Sequence, residues 1–257
     1  MTALTRDVAE AWMARWDRQQ EGYMPEREER FTALIDAVEL FVAKPDPLIL
    51  DLGCGPGSLA ARLLDRVPGA TVVAIDTDPL LMTLGRAAYG ERKGLEFADL
   101  DLRSPGWAAS LGLDRPVDAA VSTTALHWLS DDELGVAYGE LAGAMRPGAL
   151  FLNGDHMSVA DQAPALGKLE VDLRAHATRR RFGGDLPEDW AQWWEAVAAD
   201  PHLGPLKTER DDVAAAHDSN ESYLLSSHVN ALRTTGFTEI TTLWQRGDDR
   251  LLAATRA

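Results

Sequence analysis

A short apolar run passes directly into a glycine-rich turn in the segment Leu48-Ile49-Leu50-Asp51-Leu52-Gly53-Cys54-Gly55-Pro56-Gly57-Ser58. The run follows a stop signal at residues 44–47, and its composition is typical of a buried parallel strand. A helix is predicted directly after the turn, from Leu59 to Arg66. A strand, a glycine turn and a helix in this order predict a ligand site at the carboxyl end of the first strand of an open α/β sheet.

Strands and helices alternate beyond this turn. The pattern predicts strands at Thr71–Ile75, Leu95–Ala98, Val117–Ser122 and Ala149–Asn153, and helices at Leu80–Tyr89 and Asp131–Met145. Strands separated by helices of this length favour right-handed crossovers, and therefore a parallel sheet. The sequence predicts a doubly wound, mostly parallel, seven-stranded α/β sheet.

The end of the chain departs from this parallel pattern. A helix is predicted at Glu221–Thr235. After it, the strands Phe237–Gln245 and Arg250–Ala254 are predicted to close the sheet as an antiparallel hairpin around residues 247–249.

Helical segments outside the sheet are expected to form lids. Amphipathic patterns predict one lid at residues 1–44, and irregular helical stretches predict an inserted lid at residues 157–215. The core then comprises residues 45–156 and 216–257.

The charge of the chain limits its partners. The 257 residues include 41 acidic and 25 basic side chains, a formal net charge of −16. Such a surface repels phosphate backbones and anionic lipid, so neither a nucleic-acid nor a membrane partner is expected.

Targeting signals and cysteines add two further expectations. The first thirty residues contain no apolar signal core and no run approaches transmembrane length, so we expect a cytoplasmic monomer or homodimer. Cys54 is the only cysteine, which rules out an intrachain disulfide and argues against a cysteine-based zinc site. No metal is expected.

The spacing of the glycines separates two kinds of ligand. Dinucleotide-binding turns follow the pattern Gly-x-Gly-x-x-Gly and offer backbone amides to a pyrophosphate. Here the glycines stand at positions 53, 55 and 57, and Ser58 takes the place of the third glycine of that pattern. Asp51 would repel a pyrophosphate but suits a cationic ligand.

The segment Leu50–Gly57 resembles motif I of the class I S-adenosylmethionine-dependent methyltransferases. This resemblance continues at the family's spacing over roughly residues 45–155, and it implies a Rossmann-like methyltransferase fold with S-adenosyl-L-methionine as cofactor. Residues 73–79 resemble motif II, which implies that Asp76, followed by Thr77, accepts hydrogen bonds from the ribose hydroxyls.

Two further motifs complete the cofactor site that the resemblance implies. Residues 97–100 resemble the motif in which an acid, here Asp99, holds the adenine amino group while its neighbour Leu100 packs near the ring. Residues 117–122, ending at Ser122, resemble the motif beside the methionine end. The implied cofactor-binding residues are Asp51, Gly53, Cys54, Gly55, Gly57, Asp76, Thr77, Asp99, Leu100 and Ser122.

The segment Ser122–Leu129 narrows the resemblance to a subfamily. It is similar to the Asn-x-x-Leu-His-Trp segment of small-molecule methyltransferases like trans-aconitate methyltransferase. Thr123 or Thr124 stands where that family commonly has asparagine, and this departure leaves the substrate class open.

Two histidines follow the fourth and fifth strands, where a general base could stand. A base is needed only if the acceptor must lose a proton, as a hydroxyl must and a carboxylate need not. We therefore name His156 and His127 as candidate catalytic residues. The alternative for His127 is a packing and hydrogen-bonding role beside Trp128.

Aromatic side chains of the two lids are candidates for the wall of an acceptor pocket. Trp16, Tyr23 and Trp194 are proposed to bind substrate, because aromatic walls suit a flat or apolar small molecule. The alternative is that the tryptophans attach the lids to the core.

The resulting prediction is transfer of a methyl group to a small-molecule acceptor, with O-methylation of a carboxylate or hydroxyl favoured. Three alternatives stay open: a protein methyltransferase, a catalytically silent S-adenosylmethionine-binding protein of the same fold, and a nucleotide-dependent oxidoreductase. A nucleotide-dependent oxidoreductase would be expected to have a glycine at position 58 and no acid at position 51.

Overall fold

The computed structural model describes residues 4–183, 185, 187–215 and 223–257. In this part of the chain the strands are β1 (Leu48–Leu52), β2 (Thr71–Asp76), β3 (Leu95–Asp99), β4 (Val117–Thr123), β5 (Met145–His156), β6 (Phe237–Arg246) and β7 (Asp249–Arg256). They form one seven-stranded sheet in the order β3-β2-β1-β4-β5-β7-β6. Strands β1 to β5 pair in parallel, and β7 is antiparallel to both β5 and β6. The predicted fold class is confirmed.

The helices lie before, between and after these strands. They are α1 (Arg6–Tyr23), α2 (Arg27–Val42), α3 (Ser58–Arg66), α4 (Pro79–Tyr89), α5 (Trp107–Ser110), α6 (Asp131–Ala144), α7 (Pro164–Phe182), α8 (Trp190–Ala199), α9 (Gly204–Ala215) and α10 (Leu225–Thr234). A 3-10 turn at Leu126–Trp128 follows β4. The helix predicted at Glu221–Thr235 corresponds to α10, and Glu221 itself lies outside the described residues.

Capping signals fix where two of the helices near the ligand edge begin. The Asp78 carboxylate accepts hydrogen bonds from two amides in the first turn of α4, and Pro79 occupies the first helical position. Ser130 and Glu133 form a capping box at the start of α6. Both helices therefore begin directly after a strand and its loop, at the carboxyl edge of the sheet.

Strand β5 is longer than the sequence predicts. It begins at Met145 rather than Ala149, because Met145 already pairs with Val117 of β4. The register shifts before Ala119 pairs with Leu150, so the proline and glycine at residues 147–148 fall in an irregular stretch of the ladder.

Both faces of the parallel sheet are covered, as expected for strands buried on two sides. One face packs against α6 and α10 through side chains that include Tyr138 and Leu232. The other packs against α2 and α3 through side chains that include Phe31 and Leu63. Every residue of β1 is buried, so the glycine turn extends from a rigid strand.

A third apolar cluster joins the N-terminal helix to the inserted helices. Trp12 and Trp16 of α1 pack on Trp193 of α8 with ring centroids 5.7 and 5.1 Å apart. Leu80 and Leu84 of α4 belong to the same cluster. These contacts hold α1 and α8 together above the carboxyl edge of the sheet, where both lids were predicted; the exact division of the chain into domains stays a prediction.

No helix among the described residues is both long and apolar enough to cross a membrane. In the same residues no group of three or more His, Cys, Asp or Glu side chains is arranged to hold a metal ion.

Candidate active site

A cavity of about 980 Å³ opens at the carboxyl edge of the parallel strands. Its floor contains the glycine turn and the end of β2, and one side is the segment from Thr123 to Leu129 after β4. Helices α1 and α8 contribute Trp16, Tyr23 and Trp190 to its roof. The predicted ligand edge and the predicted lids therefore enclose one space.

Backbone conformation and lack of space both require glycine in the turn. Gly53, Gly55 and Gly57 have φ values of 67°, 53° and 81°, a region that side chains disfavour. A Cβ atom at Gly53 would lie 2.3 Å from the Cβ of Ala125. The turn is tied to β2, because the amides of Gly53 and Cys54 both donate to the carbonyl of Ile75 at 2.8 and 3.0 Å.

Asp51 lies behind the turn as a fully buried carboxylate. Neither of its oxygens makes a close, well-aligned hydrogen bond to a described group. Desolvation, and then the negative charge of Asp76, raise the pKa of Asp51 to about 7, although the backbone amide of Ala60 opposes this shift. Asp51 does not itself line the cavity, and it places an uncompensated acid beneath the glycine turn.

Asp76 brings a second acid to the cavity wall. Its Oδ2 accepts a hydrogen bond from the amide of Gly55 at 2.7 Å, and its Oδ1 accepts from Thr77 and Asp78 at 2.7 and 2.9 Å. Desolvation raises the pKa of Asp76, and these amides act in the opposite direction. Three amides thus fix the orientation of a carboxylate that lines the cavity beside Thr77.

Asp99 and Leu100, the two residues predicted to hold the adenine, lie in different environments. Leu100 lines the cavity, as does Asp101, whose carboxylate pairs with Arg103 at 2.8 Å. Asp99 does not line it: the side chain is 61% exposed and pairs with Arg86 of α4 at 2.5 Å. The guanidinium of Arg86 draws the Asp99 carboxylate to the outer surface.

Three more residues of the predicted site, Ser122, Gly57 and Trp194, do not line the cavity. Ser122 is buried and donates a hydrogen bond to the carbonyl of Leu52 at 2.8 Å, which joins β4 to β1. Gly57 is the N-cap of α3. Trp194 is buried in the tryptophan cluster, where the guanidinium of Arg210 lies 4.0 Å from its ring centroid. Cys54 lines the cavity, and burial raises the pKa of its thiol.

His127 lines the cavity and is oriented by a residue that sequence reasoning missed. Its Nδ1 lies 2.9 and 3.0 Å from the two carboxylate oxygens of Asp155, which is fully buried. Burial raises the pKa of Asp155, but the charge and hydrogen bond of His127 outweigh it and lower that pKa to about 2. The ring also stacks on Tyr223, with centroids 5.1 Å apart. A carboxylate directly before His156 at the end of β5 is the signal that could have revealed Asp155.

His156 lies at the same edge in a different environment. Neither ring nitrogen has a hydrogen-bond partner among the described residues, and Nδ1 lies 3.7 Å from Oδ1 of Asp248. Asp248 also pairs with Arg174 of α7 at 3.2 Å. Burial raises the pKa of Asp248, and the interactions with His156 and Arg174 outweigh it and lower that pKa.

A buried arginine was also missed. Arg30 of α2 is fully buried and donates to Asp249 of β7 at 2.6 Å and to the hydroxyls of Thr123 and Thr124 at 2.7 Å. These bonds anchor the threonines that stand where the resembled family commonly has asparagine. An arginine on the apolar stripe of the helix, next to Phe31, was the available signal.

The fold and the glycine turn together define a class of nucleoside-binding proteins. A parallel α/β sheet with a reversed β7, a glycine turn after β1 and a cavity-lining acid at the end of β2 are features of a nucleoside-binding enzyme fold. Residues 49–148 match the family model described as a methyltransferase domain. Residues 49–148 therefore form a methyltransferase domain of the class I, S-adenosylmethionine-dependent kind.

Curated relatives agree with this assignment over part of their length. Trans-aconitate 2-methyltransferase of Azoarcus sp. (strain BH72) is 32% identical over 139 residues, which cover 54% of this chain and 50% of the relative. The enzyme of the same name from Methylobacterium nodulans is 31% identical over 177 residues, covering 68% of this chain and 58% of the relative. This chain thus spans half to three fifths of these two relatives.

Solved structures agree at the level of the fold. An O-methyltransferase family protein from Burkholderia thailandensis has a TM-score of 0.57 at 17% identity, covering 99% of this chain and 64% of that one. Human N-acetylserotonin methyltransferase in complex with SAM has a TM-score of 0.54 at 14% identity, covering 94% of this chain and 57% of that one.

The residues present fit S-adenosylmethionine. Asp76 offers a fixed carboxylate to hydroxyl donors at the wall of the cavity, as a ribose requires. The unpaired, buried Asp51 makes this end of the cavity favourable to a cation. Gly53 and Gly55 line the cavity without side chains, so a ligand can approach the backbone of the turn closely.

Proposed function

We propose that this chain transfers a methyl group from S-adenosylmethionine to an oxygen atom of a small molecule, either a carboxylate or a hydroxyl. The supporting observation is that one cavity is lined both by the glycine turn with Asp76 and by several aromatic side chains and two histidines. When bound, the cofactor supplies an electrophilic methyl group on a sulfonium. The work left to the protein is alignment and exclusion of water.

Different residues of the chain would bind the cofactor and exclude water from the cavity. Asp76 holds the hydroxyls of the cofactor, Leu100 packs against its ring, and the bare backbone at Gly53 and Gly55 admits close approach. In its ionised form, buried Asp51 favours a cationic ligand over a neutral one. On the acceptor side, the roof formed by α1 and α8 excludes water.

Isothermal titration calorimetry with S-adenosylhomocysteine, combined with transfer of a radiolabelled methyl group to a panel of small acids and phenols, tests this function. We expect binding of S-adenosylhomocysteine, no binding of NADH, and at least tenfold weaker binding by Asp76→Asn. Asp65→Asn is the matched control, because Asp65 is 63% exposed and pairs with Arg92 on the surface, away from the cavity. NADH binding without an effect of S-adenosylhomocysteine would contradict the proposal. Cofactor binding without turnover of any acceptor would indicate a silent binding protein.

A further inference from the structure

We propose that the acceptor is an uncharged phenol-like hydroxyl rather than a polycarboxylate, and that His127, positioned by Asp155, takes its proton. This inference rests on the proposed function and selects between its two acceptor classes. Two separate features of the cavity carry it: the pairing of its charges and the orientation of His127.

Every described arginine that lines the cavity already has a carboxylate partner. The pairs are Arg27 with Asp17 at 2.9 Å, Arg103 with Asp101 at 2.8 Å, Arg174 with Asp248 at 3.2 Å and Arg210 with Asp78 at 2.7 Å. The described acids lining the same wall are Asp76, Asp78, Asp101 and Asp248. The arginines and acids of the described wall balance, and Asp51 adds a further acid behind it.

This balance disfavours an acceptor with several negative charges. A polyanion would have to displace these acids from their arginines or enter the cavity without partners of its own. Either route leaves desolvated charges uncompensated, which is strongly unfavourable. A site built for a tricarboxylate would instead present guanidinium groups with no acid beside them.

Aromatic rings make up much of the remaining wall. Trp16, Tyr23, Trp128, Trp190 and Tyr223 all line the cavity. Trp128 is 51% exposed, and the Tyr23 hydroxyl accepts a hydrogen bond from the amide of Trp190 at 2.9 Å, which joins α1 to α8 beside the cavity. Flat apolar rings favour an aromatic acceptor.

His127 supplies what a hydroxyl acceptor needs and a carboxylate does not. A carboxylic acid is already ionised near neutral pH, whereas a phenol, with a pKa of about 10, must lose its proton to become a good nucleophile. Because Nδ1 faces Asp155, Nε2 is the ring nitrogen through which His127 would take the proton of the acceptor in the cavity that it lines. A carboxylate against Nδ1 fixes the ring and stabilises the imidazolium that forms.

Proton transfer to His127 and methyl transfer to the acceptor oxygen require no further reactant. The acceptor O–H bond breaks and its proton goes to His127. An oxygen lone pair forms the new O–C bond to the methyl group, and the electron pair of the broken C–S bond stays on sulfur, which becomes a neutral thioether. The charged or titratable groups around this step are Asp155, Tyr223, His156 and Arg30, the last two acting on Asp155 from β5 and α2.

Matched acceptors that differ only in the reacting group test the inference on the full chain. The pairs are para-cresol with para-toluate and naphthol with naphthoate, and trans-aconitate is included as a polycarboxylate. Methyl transfer from radiolabelled S-adenosylmethionine gives kcat and KM, and binding to the protein loaded with S-adenosylhomocysteine is measured by calorimetry. We expect the phenols to bind and to be methylated, and the three carboxylates to show at least tenfold lower kcat/KM.

Variants separate a base from a structural histidine. His127→Gln should lower kcat on the best phenol about 100-fold or more while affinity for S-adenosylhomocysteine is unchanged. Asp155→Asn should lower kcat and shift the pH profile of kcat, and Asp155→Glu should recover part of the rate. His176→Gln, on the exposed side of α7, is the control and should leave both quantities unchanged.

Three results would overturn the inference. The first is equal or better kcat/KM for trans-aconitate or an aromatic carboxylate, which leaves methyl transfer itself standing. The second is an unchanged kcat and pH profile in His127→Gln. The third is binding of S-adenosylhomocysteine without binding or turnover of either phenol. Failure to bind S-adenosylhomocysteine at all would overturn the proposed function together with this inference.

Discussion

Replacing Asp51 by asparagine removes a buried charge and keeps the shape of the side chain. Desolvation, and then the carboxylate of Asp76, raise the pKa of Asp51 to about 7 from an ordinary 3.8. Ionising this group in the folded protein is therefore unfavourable by about 4 kcal/mol relative to the unfolded chain. We expect Asp51→Asn to raise the free energy of unfolding of the ligand-free protein by up to this amount above about pH 7.

The increase in the free energy of unfolding expected for Asp51→Asn depends on pH. Below about pH 4 the Asp51 carboxyl is protonated in both states, so the substitution changes little. From about pH 4 to about pH 7 only the unfolded chain ionises. The free energy of unfolding of the unsubstituted protein therefore falls relative to that of the variant. Above about pH 7 the difference is constant.

Urea unfolding followed by tryptophan fluorescence at about pH 4, 6 and 8 measures this difference. Asp118→Asn is the matched control with the opposite sign. Burial raises the pKa of Asp118, but the amide of Leu48 and the side chains of Lys44 and Arg146 outweigh it and lower that pKa. That variant should be destabilised above about pH 4. Equal free energies of unfolding for Asp51→Asn and the unsubstituted protein at all three pH values would refute the reasoning.

The same substitution should weaken cofactor binding in a charge-dependent way. S-adenosylmethionine carries a sulfonium, and S-adenosylhomocysteine has a neutral sulfur in its place. Loss of the Asp51 carboxylate should therefore lower affinity for the first about tenfold more than for the second, an electrostatic effect of roughly 1–2 kcal/mol. Calorimetry with both ligands at about pH 8 measures the ratio, and an unchanged ratio would mean that Asp51 does not act on the sulfonium.

Three further substitutions test the architecture around the cavity. Arg30→Ala should lower the free energy of unfolding by about 3–5 kcal/mol in urea, because its buried partner on β7 is left unpaired, whereas Arg66→Ala on the surface should change it by less than about 1 kcal/mol. Gly53→Ala should weaken S-adenosylhomocysteine binding measured by calorimetry, since its Cβ would meet another at 2.3 Å with φ at 67°; Gly135→Ala on α6 meets nothing and should leave binding unchanged. Trp193→Ala, which empties the centre of the tryptophan cluster, should lower the free energy of unfolding by about 3–5 kcal/mol by the same urea assay.

Small effects of the Arg30, Gly53 or Trp193 substitution would contradict these predictions. A loss under about 1 kcal/mol for Arg30→Ala would mean that water or another group replaces its contacts. Unchanged affinity in Gly53→Ala would show that the turn can relax around a side chain. A small loss for Trp193→Ala would mean that α1 and α8 are held over the sheet by their polar contacts instead.

The sheet and the donor side of the cavity were predictable because their signals are contiguous in sequence. A buried strand, the turn from Asp51 to Gly57 and the acid at Asp76 each depend on neighbours within a few residues. Glycine spacing and helix capping are local constraints on the backbone, so they could be recognised without knowledge of the tertiary structure.

Side-chain direction was less predictable, because it depends on partners distant in sequence. Asp99 is turned outwards by Arg86 of α4, and no property of the strand itself indicates this. Asp155 gains its role only because β5 places it against His127, which is 28 residues earlier. Arg30 likewise finds Asp249 across 219 residues of chain. Such pairs form only when the fold is complete.

The family match covers the donor side of the cavity more fully than the acceptor side. Residues 49–148 include the glycine turn, Asp76 and His127, but they end before Asp155, His156 and Asp248, and they begin after α1. The matched segment therefore contains the donor side of the cavity and one half of the His127–Asp155 pair. The carboxylate that orients the base and most of the aromatic roof come from outside it. The family match over residues 49–148 therefore supports a shared donor, whereas most of the walls expected to select the acceptor lie outside this segment.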